Sequence, residues 1–493
     1  MKLTKCLIAN RGEIAVRIIH ACHELGIGAA AVYSEADAGA RHVLIADEAH
    51  AIGAANPTES YLNIERLIAA ARSAGCDCVH PGYGFLSESE AFAQAVIDAR
   101  LVWVGPPPEA IRRMGVKTEA RALMQAAGVP LAPGYPGDGD DRAFLDAAAR
   151  IGYPVMVKAA GGGGGKGIRV VAEAADLPDA LQAARREAQH AFGDPRVFLE
   201  RFIEHARHVE IQVIADQFGH TIHLFERECS AQRRHQKVIE ESPSPLLNAG
   251  MRARMGAAGV AAARAVGYVN AGTVEFIAAP EGEFYFLEMN TRLQVEHPVT
   301  EMVTGLDLVK LQFAIAAGEP LPFTQDDVSQ RGHAIECRLY AEDPRGGFLP
   351  AVGEVLHFHA PEGVGVRVDS GVQSGDTIPI HYDPLIAKII VYERDRAAAI
   401  RRMDAALRDT MILGTTTNLG FLRALINHPA FVAGEVDTGF IERQADELIP
   451  PETPPPDEAL IAAALLERTG VTTAARVDDP WARGDSFRLG QGR

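Results

Sequence analysis

Near the start of the chain, apolar residues switch between two spacings. Cys6, Leu7, Ile8 and Ala9 form a short continuous run of the kind a buried strand gives, and Ile14, Val16, Ile18, Ile19 and Cys22 recur at helical intervals. A second apolar run, residues 29–33, follows Gly26 and Gly28, and the same rhythm continues through residues 76–80 and 101–104. Strand alternating with helix predicts a Rossmann-like parallel sheet over residues 1–115. The first turn lacks a G-x-G-x-x-G fingerprint, which disfavours a dinucleotide enzyme. After the prolines at 106–108 a helical pattern runs to Ala127, and a connection punctuated by Gly and Pro spans 128–139. Residues 153–158 and 168–171 read as two strands around a glycine run. From about 205 to 446 the chain is rich in strands that carry charged residues, and a proline-rich linker at 450–456 precedes a helix-like stretch and a polar end.

The length of 493 residues is too great for one core and suggests roughly three domains of about 150 residues. With 47% hydrophobic and 23% charged residues the composition is that of a globular protein. A net charge of -17 argues against a general nucleic-acid binder, whose footprint is a basic stripe. Arg11 and Glu13 break the first apolar run too early for a signal peptide, and no apolar stretch approaches the ~20 residues of a membrane span. Six sparse cysteines without zinc spacing predict a reducing, cytoplasmic setting.

Residues 161–165 are five consecutive glycines, followed by Lys166 and Gly167. A P-loop fails here, because Ala160 stands where its first Gly belongs, Gly167 replaces its Ser or Thr, and β-branched Ile168, Val170 and Val171 predict a return strand rather than a helix. Two readings remain: a floppy hairpin tip, or a mobile lid that closes over phosphates.

Residues 273–279 and 284–290 flank a four-residue loop. Symmetric pairing about that loop sets Glu275 directly opposite Glu288, an arrangement that repels unless a cation compensates. With the amide oxygen of Asn290 these carboxylates suit Mg²⁺ or Mn²⁺ bound together with phosphates, although a wet face on which both acids splay into water has the same pattern. Glu288, Asn290, Arg292, Gln294 and Glu296 then alternate with Met289, Thr291, Leu293 and Val295, which predicts a catalytic strand and adjoining loop ending at His297-Pro298. Arg233, Arg234, His235 and Lys237 make a basic island that is either a salt-bridged surface loop or an anion clamp. His208 and Glu210 share a strand face. Lys117 and Lys158 carry no signal alone, and Arg338 reads as an ordinary strand-end arginine.

Several stretches occur in order: Ile8-Ala9-Asn10-Arg11-Gly12-Glu13-Ile14-Ala15, residues 80–88, Lys158 through Gly167, His208-Val209-Glu210, residues 232–237, and Glu288-Met289-Asn290-Thr291-Arg292 followed by residues 294–301. Together they resemble the biotin carboxylase family of the ATP-grasp superfamily, over residues 1 to about 446. The resemblance implies a mixed α/β and α+β protein. Its parts are a Rossmann-like N-terminal domain (1–115), an ATP-grasp domain (116–320) with a glycine-rich lid at about 130–204, a C-terminal domain (321–446) and a linker and tail (447–493).

The implied reaction is carboxylation of biotin on a carrier protein, using ATP, bicarbonate and Mg²⁺ or Mn²⁺ at two sites. Carried onto matching positions, Lys117, Lys158, Gly164 and Gly165 hold ATP phosphates, and Glu200, Arg201, Phe202 and Ile203 line the adenine pocket with His208 and His235 nearby. Arg201 and Phe202 stand where many relatives have Lys and Tyr, and at the first of these positions Arg and Lys differ in the geometry they bring to the adenine contact. Glu275, Glu288 and Asn290 fall on the metal positions, the two acids also contacting the nucleotide. Glu296 is the expected general base, Lys237, Arg292, Arg338 and the Val295 backbone hold bicarbonate, and Arg338 also binds biotin and stabilises its enolate. Implied partners are a biotin carboxyl carrier protein, a carboxyltransferase and a second copy of the chain. No biotin-attachment Met-Lys-Met occurs in the sequence, and residues 436–442 and 481–489 look like α subunits of methylcrotonoyl- or geranyl-CoA-type carboxylases. Another ATP-grasp ligase, or a nucleotide-binding module without catalysis, is the competing expectation.

Overall fold

The first apolar run becomes β1 (Lys5–Ile8), the helical stretch becomes α1 (Gly12–Leu25), and the second run becomes β2 (Gly28–Ser34). α1 stops at Gly26, whose φ of 68° lets its amide turn back onto the Cys22 and His23 carbonyls. Next come α2 (Arg41–Ile45), β3 (Glu48–Gly53), α3 (Ile64–Ser73), β4 (Cys78–His80), α4 (Glu90–Asp98) and β5 (Val102–Trp103). The strands form a parallel sheet in the order β3-β2-β1-β4-β5. β3 escapes the hydrophobic reading because it is a half-exposed edge strand with Glu48 and His50 in its first half. Strand order reverses between β1 and β4, the place where such sheets bind ligands. There Asn10 Nδ2 donates to the carbonyls of Pro81 (2.7 Å) and Tyr83 (2.8 Å), tying the two strand ends together.

The computed structural model describes residues 2–137, 139–160, 168–234, 236–279, 281–449 and 454–469. The helical stretch after residue 107 is two helices, α5 (Pro108–Gly115) and α6 (Lys117–Ala126), separated by extended Val116. A four-stranded antiparallel sheet follows, in the order β6 (Gly134–Tyr135), β9 (Val197–Arg201), β7 (Val155–Ala159), β8 (Arg169–Val171), covered by α7 (Asp141–Ile151) and α8 (Leu177–Phe192). β7 and β8 pair antiparallel with Val155 opposite Val171, so the glycine run connects two strands, as the β-branched residues predict. The glycines themselves lie outside the described residues.

Five strands bring the polar residues of the middle of the chain together: β10 (Arg207–Ala215), β11 (Thr221–Arg233), β12 (Gln236–Ser242), β13 (Asn270–Ala278) and β14 (Phe284–Asn290). Together with β15 (His333–Tyr340) and the strands Leu385–Glu393 and Val366–Ser370 they form one eight-stranded antiparallel sheet, ordered β14-β13-β10-β11-β12-β15 and then those two strands. This sheet runs through the expected division at 320/321: β12 pairs with β15, Ile239 opposite Cys337 and Glu240 opposite Glu336. α9 (Ala249–Ala265) packs Met251 and Met255 on the apolar side of β10, formed by Val209, Ile211 and Val213. α10 (His297–Thr304) and α11 (Leu308–Ala316) follow β14. α12 (Arg396–Asp409) and α13 (Leu419–Asn427) share a core with Ile335, Cys337, Ile389 and Val391. Residues 450–493 separate from the rest as a second unit, of which the helix Asp457–Thr469 is described. Among the described residues no helix is long and apolar enough to cross a membrane.

Candidate active site

Alternation along β10, β12 and β13 turns Glu210, Lys237 and Glu275 toward one point. Lys237 Nζ donates to Glu210 Oε2 (2.5 Å), Glu275 Oε1 (2.8 Å) and Glu296 Oε1 (2.6 Å). Burial works against its charge, but those carboxylates outweigh it and hold Lys237 well above the ordinary lysine value. Glu296 is fully buried, and its second oxygen accepts from Arg338 at 2.9 Å. Burial pushes Glu296 up, yet Lys237, Arg338 and Arg227 pull it well below the usual carboxylate range, so it is ionised at neutral pH. Arg338 is in the interior of β15 rather than at its end, and its Nε donates to Glu240 at 2.6 Å.

The period-2 pattern continues past the strand, but the strand does not. β14 ends at Asn290, and Glu296 is the residue at the N-cap of α10. Leu293 is fully buried in the core beside Leu308 and Phe313, so the chain turns inward there. Pro298 fits the first helical turn, where its missing N–H costs nothing. Nδ1 of buried His297 lies 2.8 Å from the Gln294 carbonyl, which closes the turn.

Glu275 and Glu288 do stand opposite one another, by an indirect route. Near the turn Phe276 pairs with Phe286 and Ala278 with Phe284, one residue out of the symmetric register; Leu287 is bulged and restores Glu275 to Glu288 and Thr273 to Asn290. The two acids differ sharply. Burial raises Glu275, but Lys237 and His208 overcome it and hold it far below the carboxylate range. His208 Nε2 is 3.2 Å away, and Asn290 Nδ2 donates to Glu275 at 2.8 Å. Glu288 makes no hydrogen bond or ion pair with a described residue, and burial followed by repulsion from Glu275 raises it, with Lys117 opposing. A hard carboxylate without a partner, facing an ionised one and next to an amide oxygen, fits Mg²⁺ or Mn²⁺.

Toward α6 and the four-stranded sheet, burial and neighbouring Lys158 lower Lys117, while Glu288 opposes them. Lys158 donates to Glu200, which also accepts from Arg121. The Arg201 and Phe202 amides donate to the Pro133 (2.8 Å) and Pro154 (3.1 Å) carbonyls, with Ile203 next in the chain. Gly164, Gly165 and His235 lie outside the described residues. Arg292 stays beside its own loop, donating to Gln294 Oε1 (3.0 Å) and pairing with Glu88 at 3.1 Å. The basic island divides: Arg233 pairs with Glu342 (3.3 Å) and stacks on Phe348 (4.1 Å), whereas Lys237 enters the centre.

Sequence reasoning missed four charged neighbours of this centre: Glu88, Arg227, Glu240 and Lys388. Lys388 alone left a signal, as a single cation inside the apolar run 385–391. Its Nζ donates to the Val295 carbonyl at 2.7 Å and lies 3.5 Å from Glu13. Neither Glu13 oxygen is hydrogen-bonded to a described residue, and burial lifts Glu13 to about 7 although Lys388 opposes it. The folded protein therefore holds a proton that the unfolded chain releases at 4.5. That contribution to stability is complete below about pH 4.5 and is lost as pH rises through about 7. Glu13→Gln, neutral at every pH, is expected to flatten the fall of melting temperature across this window, and an unchanged slope counts against it.

Three family models match in sequence order: the biotin carboxylase N-terminal domain over residues 2–111, the carbamoyl-phosphate synthase L chain ATP-binding domain over 116–324, and the biotin carboxylase C-terminal domain over 336–443. The chain is 47% identical over 493 residues to the mitochondrial methylcrotonoyl-CoA carboxylase subunit alpha of Dictyostelium discoideum, covering 99% of this chain and 70% of that protein. It is 51% identical over 443 residues to the biotin carboxylase of Allochromatium vinosum, covering 90% of this chain and 98% of the relative. Among solved structures, the biotin carboxylase domain dimer of Hydrogenobacter thermophilus 2-oxoglutarate carboxylase, in complex with MgADP, ADP and bicarbonate, superposes with a TM-score of 0.87 at 44% identity, over 92% of this chain and 100% of that one. With its sheets, its opposed acids and its buried Lys237–Glu296–Arg338 centre, the chain belongs to the biotin carboxylase family of ATP-dependent ligases.

Proposed function

We propose that the chain carboxylates biotin presented on a carrier, consuming ATP and bicarbonate, as the first half-reaction of an acyl-CoA carboxylase. The observation that carries this reading is Glu296, a buried ionised carboxylate held at 2.6 Å by Lys237 and at 2.9 Å by Arg338. Bicarbonate is an anion and a poor nucleophile, so it needs cations to bind and a base to remove its proton. Lys237 and Arg338 supply the charge, with Arg292 and the Val295 backbone beside them. A bound bicarbonate draws these cations toward itself, which loosens their hold on Glu296 and raises its basicity when a base is needed.

The bicarbonate oxygen attacks the γ-phosphorus, ADP leaves, and Glu296 takes the proton. Carboxyphosphate then breaks down to CO₂ and phosphate; phosphate removes the ureido N–H proton, the biotin nitrogen bonds to CO₂, and Arg338 stabilises the enolate. Glu275, Glu288 and Asn290 would hold Mg²⁺ or Mn²⁺, which when bound neutralises nucleotide phosphate charge. Lys117, Lys158, Glu200, Arg201, Phe202, Ile203, His208 and His235 contact the nucleotide, and the lid glycines, Gly164 and Gly165 included, exclude water from the carboxyphosphate.

Similarity to a methylcrotonoyl-CoA carboxylase α subunit supports a carrier and a carboxyltransferase as partners, and the dimeric neighbour supports a homodimer. The test is ATP cleavage by the purified chain: it should require bicarbonate and rise on addition of free biotin. Cleavage driven instead by ammonia or another amine would point to the alternative ligase class. Glu288→Lys puts an ammonium where the cation is expected, so binding of Mg-ATP should weaken by at least about 100-fold, on the order of 3 kcal/mol. Unchanged Mg²⁺ dependence in that variant argues against the opposed acids as the metal site.

A further inference from the structure

Lys388 is fully buried on the strand Leu385–Glu393, directly opposite Arg338 of β15. Two opposed cations repel, and a buried ammonium loses its hydration, so an apolar side chain would be cheaper at this position. Two acids stand near it without binding it closely: Glu13 of α1 is 3.5 Å away and Asp369 of the strand Val366–Ser370 is 3.8 Å away. Burial lowers Lys388, but Glu13, Glu336 and Asp369 together reverse this and raise it. Among the described residues its ammonium hydrogen-bonds to one group, the Val295 backbone carbonyl, at 2.7 Å.

That carbonyl belongs to the peptide linking Val295 to Glu296. The preceding carbonyl, of Gln294, is taken by His297, whose Nδ1 lies 2.8 Å from it. The irregular turn between β14 and α10 thus has its last two carbonyls fixed from outside the strand ladder, one by the helix that follows and one by Lys388. Nothing else among the described residues bonds to the Val295 carbonyl. We infer that Lys388 is a positioning residue for the base: its ammonium pins the Val295 carbonyl and so sets the direction in which Glu296 leaves the turn. The inference rests on the reading of Glu296 as the base.

The experiment is steady-state kinetics of biotin carboxylation on the intact chain. In Lys388→Met, kcat should fall about 100-fold and KM for bicarbonate should rise about tenfold, while KM for ATP stays within about twofold. A loss of folded protein lowers kcat alone, so the bicarbonate KM separates positioning from stability. Asp369→Asn removes a counter-charge but leaves the carbonyl bond, and should keep KM for bicarbonate within about twofold of the unsubstituted chain. If Lys388→Met folds poorly, Lys388→Arg retains a charged donor; KM for bicarbonate within about threefold of normal supports the inference. Unchanged bicarbonate KM in Lys388→Met overturns it, as does a tenfold rise in Lys388→Arg or in Asp369→Asn. Normal turnover in Glu296→Gln would remove the underlying reading instead, whereas a dead Glu296→Gln beside a normal Lys388→Met removes only the role of Lys388.

Discussion

Glu296→Gln is expected to lower kcat for biotin carboxylation by about 10²–10⁴-fold, the range a positioned general base supplies. The substitution preserves shape and removes the charge. Lys237 keeps Glu210 and Glu275, and Arg338 keeps Glu240, so no cation is left without a partner. The loss should therefore fall on the chemical step, with KM for ATP changed by no more than a few-fold. A thermal melt checks that the fold is retained, and the kcat measured with saturating ATP, bicarbonate and free biotin is the deciding quantity. Turnover near that of the unsubstituted chain would mean that the proton leaves by another group. Because Lys237 and Arg338 hold Glu296 ionised well below neutral pH, the acid limb of the normal profile should not report Glu296 in the free enzyme.

Arg227→Met is expected to destabilise the chain by about 3–5 kcal/mol, the cost of leaving a buried charge without its partner. Arg227 is fully buried on β11. It donates to Glu210 Oε1 (2.6 Å), Gln212 Oε1 (2.7 Å), Thr300 Oγ1 (2.9 Å) and Thr273 Oγ1 (3.0 Å), and so joins β10, β13 and α10. Met fills a similar volume, so the penalty is mostly electrostatic: Glu210 keeps Lys237 at 2.5 Å and His208 at 3.9 Å but loses its guanidinium, and is pushed toward its neutral form. Because the unfolding entropy scales with chain length, the melting temperature should drop by about 3–5 °C. Carboxylation should fall as well, because Glu210 and Glu296 both lose a nearby cation. A shift of less than about 2 °C would mean that water or rearrangement compensates the lost guanidinium.

How much of this was legible in the sequence depends on how far each contact reaches along the chain. The β1-α1-β2 unit and the strands either side of the glycine run were readable because each is set by neighbours in sequence. The opposition of Glu275 and Glu288 was readable because a short hairpin fixes its own register, although the bulge at Leu287 was not. Glu296 was singled out by an alternation that belongs to no strand; five residues of period 2 cannot distinguish a strand from a buried turn. Arg227, Glu240 and Lys388 left little trace because their roles follow from strand order. Glu226-Arg227-Glu228 reads as a solvated charged strand until β10 and β13 are known to lie alongside, and Lys388 meets Arg338 only because strands far apart in sequence are paired. The basic island divided for the same reason: which of its members faces inward depends on the partner strand.

The ladder between β12 and β15 bears on how this protein can be recombined. Exchanging the last third of the chain with a relative would transfer Arg338 and Lys388 along with a strand whose backbone must zip onto β12 at Ile239, Glu240, Glu241 and Ser242. A junction placed at the apparent domain border cuts no helix and no loop of the reaction centre, yet it exposes two raw sheet edges that are prone to pair wrongly. A chimera of this kind stands or falls on backbone fit along those few residues, and its catalytic competence becomes a direct gauge of how closely the two parents share one sheet.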